Sequence, residues 1–361
     1  MKNYAEDFPV VSQYTYVNTA ASGLLSESLY NWRQEHELDF LIKGSIFRES
    51  YPQFLEEIRK SVATFFKAES GNTVLVPNFS FGFNTFLSGL NGRQKVLLIE
   101  GDYPSVNWPV KARGYEFVTV EIDEHLEDNI EKAFKAEKPT MFAFSIVQYI
   151  NGVKIDLKFI NELKAKYPEV LFIADGTQYC GTESFDFSLS GIDILGASGY
   201  KWMLSGFGNG FLIFKDHLSS NIFKQSFKFE PHTEDFLQGK NHLTSHFEPG
   251  HHDSLNYGSL KFSIENQLNK AGAENIGKHL NELSVYAKDK FSNLKLLDNY
   301  VLNRKEHSTI FGLNVSKKGY NELRSRDVIC SLRGGKLRVS FHLYNSKKDI
   351  DKITSILKNV K

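Results

Sequence analysis

One lysine, Lys201, stands in "GASGYKWMLSGFGNGFLIF" among small, aromatic and apolar residues, with glycines on both sides. Lysine is seldom buried without a partner. In a desolvated pocket it gives up its proton more readily and becomes a nucleophile toward carbonyls. On a surface the same residue merely lays its stem over apolar neighbours. Upstream, "ADGTQYCG" places Asp175 and Gln178 directly after the apolar run "VLFIA". A carboxylate at the end of a buried run needs a cation, a metal or several N–H donors. The plainer reading is an aspartate that caps its own turn.

These groups must be held by something, and the chain supplies seven short apolar, β-branched runs. They are "TVLVP", "KVLLI", "EFVTVEI", "TMFAFSI", "VLFIA", "DILGA" and "GFLIF", the last ending at Phe214. Most are continuous rather than alternating, which predicts strands buried on both faces. Helical patterns lie between and ahead of them. "PQFLEEIRKSVATFFKA" puts Phe54, Ile58, Val62 and Phe65 on one face, and "LKFINELKAKYPEV" does so with Phe159, Ile160, Leu163 and Tyr167 before Pro168. Alternating strands and helices predict an α/β fold with a mainly parallel seven-stranded sheet between helices. From about Leu255 the pattern turns helical, then returns to short strands in "STIFGLNV" and "KLRVSF", as in a smaller C-terminal α/β unit. The expected division is residues 1–20 as a segment joining that unit to the active-site mouth, 21–250 as the large unit and 251–361 as the small one.

Chemistry in such sheets gathers beyond the carboxyl ends of the strands. After "TVLVP", Asn78 or Ser80 is placed to cap a helix beginning near Phe81, either as a plain cap or as a phosphate site. After "KVLLI", Tyr103 precedes Pro104, either as a platform for a flat ring or as loop packing. After "TMFAFSI", Gln148 and Tyr149 precede a turn at Gly152, either facing a ligand or ending the strand. Gly206, Gly208 and Gly210 spell G-x-G-x-G, but a dinucleotide fingerprint follows a strand and opens a helix, whereas this one precedes a strand. Adjacent His251, His252 and Asp253 do not converge on one ion from regular structure, and no metal is expected.

Composition narrows the classes. Lys+Arg and Asp+Glu both number 43, which gives no electrostatic reason to expect nucleic acid or an anionic membrane as partner. Two cysteines, Cys180 and Cys330, make no disulfide framework and no metal spacing, so a reducing cytoplasm is expected. "MKNYAEDFPVVSQYTYV" lacks the order of a signal peptide, and the apolar runs are too short to span a bilayer.

The order of these pieces resembles the class V aminotransferase group of fold-type-I pyridoxal 5'-phosphate (PLP) enzymes, which includes cysteine desulfurases, kynureninases and isopenicillin-N epimerase-like proteins. "ADGTQ" followed by "SGYKWMLSGFGNGFLIF" is similar to that family's D-x-x-Q, then S-x-H-K, then a glycine-rich turn and strand. "YTYVNTAASGLLS", with Asn18, looks like its N-terminal segment, and "LRVSFHLYNSKKDID" like its terminal R-x-S-x-x-x-Y-N motif. The resemblance makes Lys201 the residue that forms the aldimine with the cofactor and then moves the substrate Cα proton. It implies Asp175 on the pyridine nitrogen, Gln178 on the ring's phenolic oxygen and Tyr103 stacked on the ring. Phe79, Ser80, Ser198 and Tyr200 align with phosphate-binding positions, and His251 falls in a loop that reaches the neighbouring subunit's phosphate in a shared-site homodimer. Arg338 matches the arginine that grips a substrate α-carboxylate, a bidentate task suited to guanidinium, with Asn18 and Tyr149 also on the substrate side.

Departures bear on the reaction. A desulfurase needs a mobile cysteine ahead of the substrate arginine, but here that segment is the short "DVICSLRGGK". Tyr103 stands where desulfurases use histidine, and Tyr200 stands where the motif has histidine before the lysine. The expectation is a PLP-dependent transaminase acting on an amino acid. The alternatives are a cysteine/selenocysteine lyase, desulfurase-like or epimerase activity on the same scaffold, and a non-catalytic PLP-fold binding protein.

Overall fold

The computed structural model describes residues 4–229 and 240–359. In chain order its strands are β1 (Thr15–Tyr16), β2 (Thr73–Val76), β3 (Lys95–Ile99), β4 (Glu116–Val120), β5 (Met141–Ser145) and β6 (Leu171–Asp175). They continue as β7 (Ile194–Ser198), β8 (Gly210–Phe214), β9 (Ile310–Leu313), β10 (Val328–Ile329), β11 (Ser331–Arg333) and β12 (Lys336–Ser340). The α-helices of eight or more residues begin with α1 (Glu27–Lys43), α2 (Tyr51–Phe66), α3 (Phe79–Ser88), α4 (Pro104–Ala112) and α5 (Leu126–Glu137). They continue as α6 (Leu157–Lys166), α7 (Ser254–Phe262), α8 (Ala273–Asn293), α9 (Lys317–Ser325) and α10 (Lys347–Lys358).

All seven apolar runs form strands of one sheet, ordered β2-β8-β7-β6-β5-β3-β4. Strand β8 is antiparallel to both neighbours, and the other pairings are parallel. Their continuous hydrophobicity has the expected cause. Leu97, Phe142, Phe144, Phe172, Leu195 and Phe211 enter a core on one face of the sheet. Val96, Leu98, Met141, Ile173, Ile194 and Leu212 enter a core on the other. Burying each such side chain contributes about 1.5–3 kcal/mol.

Two expectations need correction. Strand β4 is not buried on both faces: it is an edge strand whose Glu116, Phe117 and Thr119 are exposed. In α2 the buried stripe is Leu55, Ile58, Val62 and Phe66, while Phe54 and Phe65 lie at its margins. Both sets have helical spacing, so periodicity alone leaves the rotation of the helix open by about one residue.

The C-terminal part forms a three-stranded antiparallel sheet, β11-β12-β9, with α8, α9 and α10 packed together beside it. Strand β1 pairs in parallel with β10, and Asn18 bridges to Ser340. The N-terminal segment thus ties this unit to the residues that approach Lys201. Helix α7 lies against α1 and α2. Among the described residues no helix is long and apolar enough to cross a membrane.

Candidate active site

The parallel strands β5 and β6 end side by side, with Ser145 opposite Asp175. Beyond these ends lies a cavity of about 430 Å³, lined by Asp175, Gln178, Lys201, Tyr103, Ser80 and Tyr200 among others. Strand-end positions separated widely in sequence therefore converge, as the sheet topology requires.

Asp175 is the last residue of β6 and is 5 % exposed. Its Oδ1 accepts the Thr177 N–H at 2.8 Å. Burial pushes the carboxyl up to about 6, against the pull of the Thr177 hydrogen bonds and of the Lys201 charge. Lys201 follows β7 and is 4 % exposed. Its backbone is clamped by the N-terminal segment: the Gly23 N–H donates to the Tyr200 carbonyl at 2.8 Å. A Cβ on Gly23 would lie 2.0 Å from the Lys201 carbonyl oxygen, so only glycine fits this approach. The Lys201 Nζ has no hydrogen bond or ion pair among the described residues, and lies 5.1 Å from the Tyr103 ring centre and 5.3 Å from that of Tyr200. Burial lowers this amine to about 8, with Asp175 opposing and the Arg338 and Arg333 charges reinforcing the shift. A buried amine and a buried carboxylate thus share a cavity without pairing.

Arg338, on β12, is 2 % exposed. It does not line the cavity itself, but one Nη1 bond to the Tyr149 carbonyl at 2.8 Å holds it behind the cavity's rim. Its Nε is buried without a partner, and no carboxylate pairs with it among the described residues. Burial draws it down to about 10. An arginine held this way is costly to the fold, and an incoming anion would relieve the cost.

The expected anion site is at the start of α3. Asn78 caps that helix, its Oδ1 accepting the Phe81 N–H, so the helix begins at Phe79 rather than near Phe81. The Phe79 N–H is not free: it donates to the Ser198 Oγ at 2.9 Å, and the ring stacks on Phe83 in the core. What remains open is the Ser80 N–H, the paired hydroxyls of Ser80 and Ser105, and the Tyr200 hydroxyl. Among the described residues no basic side chain lines this end of the cavity. The Tyr200 ring stacks on Phe207, 4.9 Å away.

Gln178 also has less freedom than its position promises. Its Nε2 donates to the Ala20 carbonyl at 3.0 Å and its Oε1 accepts the Trp202 indole N–H at 2.7 Å, which leaves one N–H for a ligand. Tyr103 and Tyr149 do meet, ring edge to ring face at 5.1 Å. Asn18 and His251 do not line the cavity. The Asn18 Oδ1 is buried without a partner, and His251 contacts Arg48 at the surface through its Nε2, at 3.0 Å.

Asp102 was not among the expected site residues. Its Oδ1 accepts the Tyr103 N–H at 2.6 Å and its Oδ2 accepts the Ser145 N–H at 2.8 Å. It therefore staples the loop bearing Tyr103 to the end of β5. The strand-end rule that singled out Asp175 applies equally to "KVLLIEGD" and would have found it. Thr177 and Ser105 were also missed, because hydroxyls carry no pattern of their own. The Cys180 and Cys330 thiols are free, buried and pushed up by burial, Cys330 to about 11. His252 and Asp253 have separate roles: the His252 carbonyl accepts the Tyr51 hydroxyl, while Asp253 caps α7.

Residues 44–325 match the family model described as aminotransferase class-V. The chain is 22 % identical, over 97 % of its length and 95 % of the relative's, to a protein of Bacillus subtilis named uncharacterized aminotransferase YcbU. Among solved structures it is similar to the apo cysteine desulfurase from Thermococcus onnurineus NA1, with TM-score 0.81, 18 % identity and coverage of 98 % and 96 % of the two chains. It is likewise similar to the cystine C–S lyase C-DES, with TM-score 0.83, 16 % identity and coverage of 98 % and 99 %. At such identities the structures establish the fold: a large seven-stranded mixed sheet plus a smaller C-terminal unit.

Proposed function

Because the chain belongs to the class V aminotransferase family of PLP-dependent enzymes, we propose that it removes the α-proton of an amino acid and expels a leaving group from the β-carbon, as a lyase that uses no protein thiol. The observation that carries this reading is a buried Lys201 and Asp175 sharing one cavity, with buried Arg338 behind its rim, none of the three in an ion pair among the described residues.

Bound PLP supplies an aldehyde for an amine and a ring that delocalises charge from the substrate α-carbon. The residues fit it. Lys201 Nζ is desolvated, unbonded and easier to deprotonate than an ordinary lysine, as a group that must bond an aldehyde and then accept a proton needs to be. Asp175 lines the cavity and would hold a proton on the ring nitrogen. Tyr103 would wall one ring face, and the remaining Gln178 N–H would meet the ring oxygen. Ser80, Ser198 and Tyr200 would receive the phosphate at the start of α3, where the helix dipole favours negative charge. Arg338 would grip the substrate carboxylate, with Tyr149 and Asn18 beside it.

Elimination needs one thing transamination does not, an acid for the departing group. The hydroxyls of Tyr103, Tyr149 and Tyr200 have no hydrogen bond among the described residues. Burial pushes Tyr200 up to about 12, so its hydroxyl stays protonated, a weak acid placed to hydrogen-bond a departing group. The solved C–S lyase and desulfurase support this reading over the transaminase expected from the sequence. With both cysteines buried and their thiols raised, a persulfide route through the protein has no support. Transamination is the second reading, favoured by the name of the Bacillus relative.

Products separate these outcomes. With cysteine or cystine as substrate, elimination consumes one water and yields pyruvate and ammonia together with sulfide or the persulfide. Alanine would indicate desulfuration, and conversion of the cofactor to its pyridoxamine form would indicate transamination. Pyruvate and ammonia in equal amounts are expected; pyridoxamine with a 2-oxo acid and no ammonia would overturn the lyase reading.

We further propose a homodimer. Phe40, Leu41, Ile42 and Ile46, at the end of α1 and just beyond, are between 55 % and 80 % exposed. An apolar patch of this kind usually marks an interface. A second copy would also bring His251 and Arg48 toward an anion site whose end of the cavity has no basic side chain among the described residues. Light scattering is expected to give twice the 41.2 kDa chain mass. A monomer at micromolar concentration would sink this assignment.

A further inference from the structure

The β11–β12 hairpin carries a second cation beside Arg338. Its register pairs Ser331 with Arg338, Leu332 with Leu337 and Arg333 with Lys336. Cross-strand partners and alternate residues share a face, so Ser331, Arg333, Lys336 and Arg338 lie on one side. Arg338 fixes where that side looks, through its bond to the Tyr149 carbonyl at the rim of the cavity. The hairpin is anchored there. Its turn, Gly334–Gly335, has φ values of 56° and 74°, and a Cβ on Gly334 would lie 2.6 Å from Ile150 Cδ1.

The cations of this face differ in what holds them. Lys336 is bound by both oxygens of the Asp298 carboxylate and by Asn314. Arg333 is exposed, forms no ion pair among the described residues, and donates only to the adjacent Leu332 carbonyl at 2.8 Å. Its charge reaches the site, helping to hold both Lys201 and Arg338 below their ordinary values. Among the described residues that line the cavity, Asp175 alone is acidic. Arg333 and the position opposite Arg338 are two residues apart on β11, about 7 Å along the strand.

We propose that Arg333 is a specificity-determining residue that takes a second anionic group on the substrate, so that the preferred substrates are amino acids with an acidic group distal to the α-carboxylate. This rests on the reading of Arg338 as the α-carboxylate site. The spacing suits a carboxylate, sulfinate or sulfonate a few bonds beyond the α-carbon. Because Arg333 is solvent-facing, its contribution is screened by salt.

Calorimetric titration of the PLP-loaded protein at low ionic strength with unreactive acids tests this. Glutarate is expected to bind at least tenfold more tightly than butyrate. In R333Q the ratio of the two affinities is expected to fall toward one, chiefly through loss of glutarate binding. R338Q is expected to weaken both acids. Equal binding of the two acids by wild type, or an unchanged ratio in R333Q, would overturn the proposal. If R338Q instead left butyrate binding intact, the α-carboxylate reading beneath it would fail, which is a different result. Thermal unfolding of each variant checks that the fold is retained.

Discussion

Replacing Lys201 by alanine is expected to lower turnover by about a thousandfold or more, the scale of losing a positioned proton acceptor. The amine is buried and unbonded, and only its neutral form can accept a proton or bond an aldehyde. Lys201→Arg should be as inactive, although it fills similar space, because guanidinium stays charged. A small amine added to Lys201→Ala should restore part of the activity. Wild type offers a pH test of the same residue. Burial lowers the folded amine from its ordinary 10.5 to about 8, so the neutral fraction is about a tenth at pH 7 and grows as pH rises. The rate at which apoprotein takes up PLP should therefore rise through pH 8 and then level off. Uptake independent of pH across that range, or a Lys201→Ala enzyme with more than a tenth of wild-type turnover, would remove Lys201 from this role.

Arg338→Met is the second large effect expected. Losing a buried charged hydrogen-bonding partner typically costs about 2–4 kcal/mol, or thirty- to a thousandfold in kcat/KM. The loss should appear mainly in KM, since the carboxylate is held alike before and during reaction. Lysine at this position should rescue poorly, lacking the planar fork. Stability separates this role from a structural one. In the free protein Arg338 is a desolvated charge with one hydrogen bond and an unpaired Nε. Its replacement by an apolar side chain of similar length should leave the thermal midpoint unchanged or raised. A marked fall in stability with unchanged KM would mean that Arg338 serves the fold instead.

The large sheet was legible because its strands are buried on both sides and so read as unbroken apolar runs. The rule failed at β4, where the edge position is a property of strand order that no single run contains. Lys201, Asp175 and Tyr103 were legible as strand-end residues, and the sheet brings them to one cavity. Less visible was what each side chain had already spent. Phe79 has given its N–H to Ser198, and Gln178 has bonded both Ala20 and Trp202 across long sequence separations. Arg333 became a candidate only once the hairpin register set it on the face of Arg338 and tied Lys336 to Asp298. Such facts depend on long-range partners, which neither residue type nor periodicity encodes.

The central claim is that Lys201 is the amine that bonds the cofactor. Borohydride reduction of the PLP-reconstituted protein, followed by proteolysis and mass spectrometry, tests it most directly. Reduction should fix the pyridoxyl phosphate group to the peptide containing Lys201, with one group per chain and none on Lys201→Ala. Stoichiometric labelling of any other lysine, or none at all in cofactor-saturated wild type, would contradict the account.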